Sequence, residues 1–189
     1  MNPSYYTNPI EFLISTLFDL YIMALILRFL LQWVRADFYN PVSQFLLKIT
    51  SPVVLPARRI IPGFRGLDIA TLVVAIALEV VKLLLVLSIK GAPLLPVNIA
   101  ILVVHSLLSL VINIFFFAIL IQVILSWISP GSYNPLSGLL YSLTAPILGP
   151  VQRLIPPIGG FDLSPLFALI GLKLLEMLLF PPLLSLLRI

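Results

Sequence analysis

The chain has 189 residues, 61% of them apolar and only 10% charged, and carries a net charge of +4; its mean hydropathy is +1.19. Soluble domains carry roughly 25% charged residues, so the composition excludes a water-soluble globule and makes the bilayer the expected solvent. Cysteine is absent, which removes disulfides and thiol chemistry.

Apolar stretches fall at about 10–34, 69–89, 99–128 and 165–187. At a rise of about 1.5 Å per residue each can cross a hydrocarbon core of about 30 Å, so four spans are expected. The third is longer than one crossing needs and should tilt or project into the interface. A signal peptide is not expected, because Glu11 and Asp19 stand where its basic region would be and no small-residue cleavage site precedes a soluble domain.

Span 1 carries Glu11, Ser15 and Asp19 at successive i+4 positions, one stripe of a helix, with Arg28 and Gln32 on another face. After Trp33 and Tyr39, Asn40-Pro41 has the form of an N-cap followed by a first helical residue. Val42, Phe45, Leu46 and Ile49 then give the apolar stripe of a helix of about ten residues, too short to span and expected to lie in the interface. Pro52, Pro56 and Pro62 should delimit short turns beyond it. Asp68, two residues after Gly66, is expected to cap span 2, which carries Glu79 and Lys82.

The chain then repeats itself. Residues 127–166 align with 33–72 at an offset of 94 without a gap, and 15 of the 40 positions are identical. Trp127, Tyr133, Asn134-Pro135, Thr144, Pro146, Pro150, Arg153, Pro156, Gly160 and Asp162 repeat Trp33, Tyr39, Asn40-Pro41, Thr50, Pro52, Pro56, Arg59, Pro62, Gly66 and Asp68. Two units of two spans each follow, 1–94 and 95–189. With an even number of spans per unit, both insert the same way up, as parallel rather than inverted repeats. The expected fold is an all-α membrane protein: four transmembrane helices in two parallel two-span repeats with pseudo-twofold symmetry, each repeat with an interfacial amphipathic connection.

Charges set the expected orientation. Arg35, Lys48, Arg58, Arg59, Arg65 and Arg153 lie in the long connections, against Lys90 and Arg188 on the other side. That asymmetry places connections 35–67 and 129–161 in the cytoplasm and both termini outside. Arg59 and Arg153 are candidate contacts for a lipid phosphate or a partner's carboxylate, so the expected partners are the bilayer and its anionic headgroups.

The repeat aligns Ser15 and Asp19 with Ser109 and Asn113, and Glu11 with His105. Facing stripes would form a polar seam of Ser15, Asp19, Ser109 and Asn113. Glu79 and Lys82 align with Lys173 and Glu176, an exchange of sign. Cross-repeat pairs Glu79–Lys173 and Lys82–Glu176 are favoured slightly over local i, i+3 pairs. His105 is the only histidine, so no metal or haem is expected. No nucleophile–base pair or nucleotide motif is present; neither an enzyme, a cofactor nor a nucleic-acid partner is expected. Pro181-Pro182 should break or kink span 4.

The pattern W-x5-Y-N-P, then T-x-P-x3-P-x2-R-x-I-P and G-x-D, resembles the YggT family of bacterial integral membrane proteins, to which the YlmG proteins of Gram-positive bacteria and plastids are related. Asp162-Leu-Ser164-Pro165 keeps a frequent extension of that pattern, whereas Asp68-Ile-Ala70-Thr71 departs from it. The resemblance implies an inner-membrane protein of osmotic tolerance and potassium homeostasis. The alternative it implies is a scaffold or assembly factor in cell division, envelope organisation or cofactor assembly, recruiting a membrane or cytoplasmic protein partner. It brings no catalytic residue.

Overall fold

The computed structural model describes residues 4–64, 66–93, 95–128, 134–155 and 162–187, with side chains from residue 8 onward. The expectations for Arg65, Tyr133, Pro156, Gly160 and Arg188 lie outside them. Among the described residues the chain forms six helices: α1 (Ser4–Trp33), α2 (Pro41–Arg58), α3 (Ile69–Lys90), α4 (Pro96–Ile128), α5 (Pro135–Leu154) and α6 (Ser164–Leu184). Four are long and apolar enough to cross a membrane: α1 from Asn8, α3, α4 and α6. Residue 33, the last of α1, and the ends of α3 fall within one residue of the expected limits. At about 1.5 Å per residue the 33 residues of α4 reach about 50 Å, longer than the hydrocarbon core.

Local chemistry sets the helix ends. The Asn40 and Asn134 side chains accept bonds from the amides of Val42 and Leu136, each at 3.0 Å, and proline follows both at the position whose missing donor costs nothing. Asp68 caps α3 through the Thr71 amide. Asp162 stands one residue before the corresponding cap and accepts from the Ser164 amide at 2.9 Å. α1 ends in a Schellman pattern, with Ala36 donating to Leu31 and Arg35 to Gln32. Arg35 occupies the left-handed position at φ 54°, where glycine or asparagine is usual, at a cost of about 1 kcal/mol. Gly66, at φ 82°, makes the turn that delivers Asp68.

The connecting helices are longer than the ten residues expected, because the chain remains helical through Pro52 and Pro56, and again through Pro146 and Pro150. Spacing explains this. Prolines four apart remove amides from one stripe only, and all four lie on exposed positions, so the orphaned carbonyls of Lys48 and Pro52 face outward. α6 likewise continues through Pro181 and Pro182 to Leu184, where the helix is ending anyway.

α1 packs chiefly on α3, α4 on α6, and α3 on α4 joins the halves; α2 and α5 each pack on both spans of their own repeat. A twofold axis would repeat the α3–α4 contact between α6 and α1. Instead, among the described residues, α6 packs on α4 and α5 and has no extensive packing on α1 or α3. The local units are therefore alike, but their assembly is not a closed symmetric bundle. One core crosses both repeats, through Leu25, Ile26, Val54, Ala75, Ile119 and Leu143. Buried alanine, serine and threonine let the backbones approach where lipid supplies no hydrophobic drive between helices.

Candidate functional site

In each repeat the first span, the connecting helix and the start of the second span meet at a polar junction. In the first repeat Arg28 is 5% exposed. Its Nη1 donates to the Thr50 hydroxyl at 2.7 Å and approaches Ser51 Oγ at 3.4 Å. Thr50, fully buried, donates its own hydroxyl to the Leu46 carbonyl. Arg28 Nε lies 3.9 Å from Asp68 and makes no hydrogen bond. Asp68 is held by two donors of Arg58, Nε at 3.1 Å and Nη2, and by the Thr71 hydroxyl. Burial alone would raise the Asp68 carboxyl. The hydrogen bonds from Arg58 and Thr71, with the Arg58 charge, outweigh it and leave the group below its ordinary value.

The second repeat builds the same junction without arginine. Gln122 replaces Arg28, and the Thr144 hydroxyl now donates to its Oε1, a reversal that a hydroxyl permits. Gln152 replaces Arg58 and donates to Asp162 at 3.0 Å. Burial again acts to raise this carboxyl, and bonds from Ser164 and Gln152 bring it below the ordinary value. A further contact ties the repeats together: the buried Asn40 donates from Nδ2 to the Pro135 carbonyl at 2.7 Å.

A second cluster lies at mid-span. Lys82 Nζ is 2.6 Å from Asp19 and 2.7 Å from Glu79. Glu79 is 2% exposed, whereas the Asp19 side chain is 57% exposed. Lys173 pairs with Glu176 at 2.7 Å and stands over the Phe116 ring at 4.9 Å. The ion pairs of the spans thus form locally and between α1 and α3; the cross-repeat contacts Glu79–Lys173 and Lys82–Glu176 are not made. The reason is position, since α3 and α6 do not pack together.

The stripe on α1 turns toward α3, so Asp19 meets Lys82 and not the α4 residues; Asn113 donates to Ser109 within α4 at 3.3 Å. Ser15 is half-buried on the same stripe as Asp19. Nearer the helix ends Glu11 pairs with Lys90 at 2.6 Å, and His105 packs on Phe180 with ring centroids 4.6 Å apart. Arg59 and Arg153 are exposed on the ends of the connecting helices. Among the described residues no group of three or more histidines or carboxylates is placed to hold a metal.

The CCB3/YggT family model matches this chain twice, at residues 7–89 and 101–183, in register with the two junctions. The chain belongs to the YggT family. It is 45% identical to an uncharacterised protein of Pseudomonas aeruginosa over 169 residues, 88% of this chain and 86% of the relative. An uncharacterised Vibrio alginolyticus protein, from the region 3′ of proC, is 45% identical over 174 residues, 91% and 94% of the two chains. The uncharacterised protein YggT of Escherichia coli K12 is 39% identical over 170 residues, 90% and 88%. No solved structure matches.

Sequence reasoning did not assemble the junction of this YggT-family chain. Its signal was present in the repeat alignment: Thr50/Thr144 and Asp68/Asp162 are identical, and Arg28/Gln122 and Arg58/Gln152 are long polar side chains at equivalent places.

Proposed function

We propose that this protein is a non-enzymatic, multi-pass protein of the bacterial inner membrane that acts in osmotic tolerance and potassium homeostasis. The observation that carries the reading is the Asp19–Lys82–Glu79 cluster. Two carboxylates share one ammonium near the middle of α1 and α3, where ionisable groups are expensive. Asp19 keeps about half of its side chain exposed while paired with Lys82, and a carboxylate so placed can replace part of a cation's hydration shell. In this reading α2 and α5 lie on the cytoplasmic side and both termini outside, following the basic asymmetry of the connections. A fusion reporter at residue 189 tests the orientation: activity confined to the cytoplasm would reverse it.

Potassium and sodium flux into proteoliposomes containing only this protein tests the ionic reading. Asp19→Asn should abolish the flux and the osmotic phenotype at unchanged protein level. A harmless Asp19→Asn would sink it.

A second reading, a scaffold recruiting a membrane or cytoplasmic partner, is favoured by the exposed Arg59 and Arg153 at matching ends of α2 and α5. There Asp19→Asn should be mild and Arg59→Ala with Arg153→Ala damaging. A harmless double arginine change would remove recruitment through those residues.

A further inference from the structure

The first-repeat junction opens into a cleft that the second repeat does not share in its chemistry. A cavity of about 380 Å³ between α1, α2 and the linker joining them is lined by Arg28, Gln32, Arg35 and Arg58 with Leu31 and Leu46. A neighbouring cavity of about 720 Å³ shares Arg28, Phe38, Leu47 and Arg58, and adds Lys48, Ser51, Phe45 and Leu55. Four cations therefore line two adjoining cavities that share the walls of Arg28 and Arg58. Among the described residues the only carboxylate paired with any of them is Asp68, which serves Arg28 and Arg58. Arg28 keeps a buried Nε without a hydrogen bond, so its donors are not exhausted by the protein.

What these cations are for follows from the repeat. At the equivalent positions the second repeat has Gln122, Ser129, Ser142 and Gln152, none of them charged. The residues that build the junction, Asn40, Thr50 and Asp68, are by contrast unchanged at 134, 144 and 162. The unit thus folds without the four charges. Orientation by positive charge does not explain Arg28 either, because a topology signal needs no burial and Arg28 is almost wholly buried. The cavity in the second repeat that Gln122 and Asp162 line, about 690 Å³ between α4 and α6, has no cation on its walls among the described residues.

We propose that the cleft of Arg28, Arg35, Lys48 and Arg58 binds the phosphate of an anionic phospholipid. Arg28 stands five residues before the exposed Trp33 at the end of α1, close to headgroup depth. Guanidinium forks match phosphate oxygens, and the exposed Phe38, Phe45 and Leu55 beside them offer an apolar surface to the acyl chains. Arg59, whose position keeps an arginine in both repeats, lines neither cavity. The ligand chemistry is a phosphate carrying an apolar tail, which separates it from free phosphate.

The test is native mass spectrometry and thermal melting of the full-length protein in detergent. The probes are phosphatidylglycerol, phosphatidylcholine and inorganic phosphate. Phosphatidylglycerol should be retained and should raise the melting temperature, whereas the other two should do neither. Arg28→Gln with Arg58→Gln, which copies the second repeat, should weaken phosphatidylglycerol binding about tenfold or more, and Arg59→Ala should leave it intact. Lys48→Ser, at an exposed position where the second repeat carries Ser142, should weaken binding on its own. Equal retention of phosphatidylcholine would overturn the proposal, as would unchanged binding by Lys48→Ser or by the folded double variant. Protection by inorganic phosphate with no gain from the lipid would assign the cleft to a free phosphate and overturn the lipid.

Discussion

In the first repeat the junction of two spans and a connecting helix is closed by Arg28, Arg58 and Asp68. In the second, Gln122, Gln152 and Asp162 stand in the same places, with uncharged amides for the arginines: Gln122 accepts from Thr144 and Gln152 donates to Asp162. Both rest on a fully buried threonine and on an asparagine–proline cap. The comparison separates what the fold needs from what one repeat adds to it. The shared set is a hydroxyl, a cap and a carboxylate. The added set is positive charge, part of it buried at a cost that packing alone does not require.

The largest effect should come from removing the carboxylate that both arginines share. Asp68→Ala leaves Arg28 and Arg58 without their counter-ion and should cost about 3–5 kcal/mol, whereas Asp162→Ala, which loses neutral bonds at an exposed side chain, should cost about 1 kcal/mol. Thermal melts in detergent measure both, and equal losses would erase the distinction between the repeats.

The spans offer the same contrast. Lys82→Met strands the buried Glu79 beside Asp19 and should cost about 3 kcal/mol; Lys173→Met, at a half-exposed pair, should cost about 1 kcal/mol or less. Glu79→Lys should be rescued by Lys82→Glu and not by Lys173→Glu. Rescue by the latter would restore the contact between repeats that the packing does not make.

The caps should differ less. Asn134→Ala removes one helix cap, worth about 1 kcal/mol. Asn40→Ala removes a cap and the bond to Pro135, and should cost about 1 kcal/mol more.

The smallest effect concerns pH. Asp68 is depressed in the folded state, so its stabilisation is complete above the ordinary carboxylate value of about 3.9 and is lost as pH falls through its lower folded value. Melting temperature should therefore drop at the acid end, and Asp68→Asn should flatten that drop. An undiminished drop in the variant would assign it to other carboxylates.

Much of this architecture was legible in the sequence because it is local or periodic. Hydropathy placed four spans, the offset of 94 placed the repeats, and Asn-Pro placed both connecting helices. The continuation of those helices through Pro52 and Pro56 was less visible, since only the packing tells which face carries the lost amides. The ion pairs show the same limit. The i+4 stripe identified Asp19 as facing a neighbour, but which neighbour depends on α3 lying between α1 and α4, and sequence spacing holds no record of that. Arg28, Arg58 and Asp68 are 30 and 10 residues apart along the chain and share no periodicity, so their meeting emerges only from the fold.

The central claim, that the fold needs the shared hydroxyl, cap and carboxylate and not the added positive charges, is tested most directly by giving the first repeat the glutamines of the second. We expect Arg28→Gln with Arg58→Gln to melt within a few degrees of the unsubstituted protein, about 1–2 kcal/mol at this chain length, because Asp68 keeps its bonds from Thr71 and a glutamine at 58 can donate to it as Gln152 donates to Asp162. A melting temperature lowered as far as that of Asp68→Ala would contradict the account and make the buried arginines part of the fold itself.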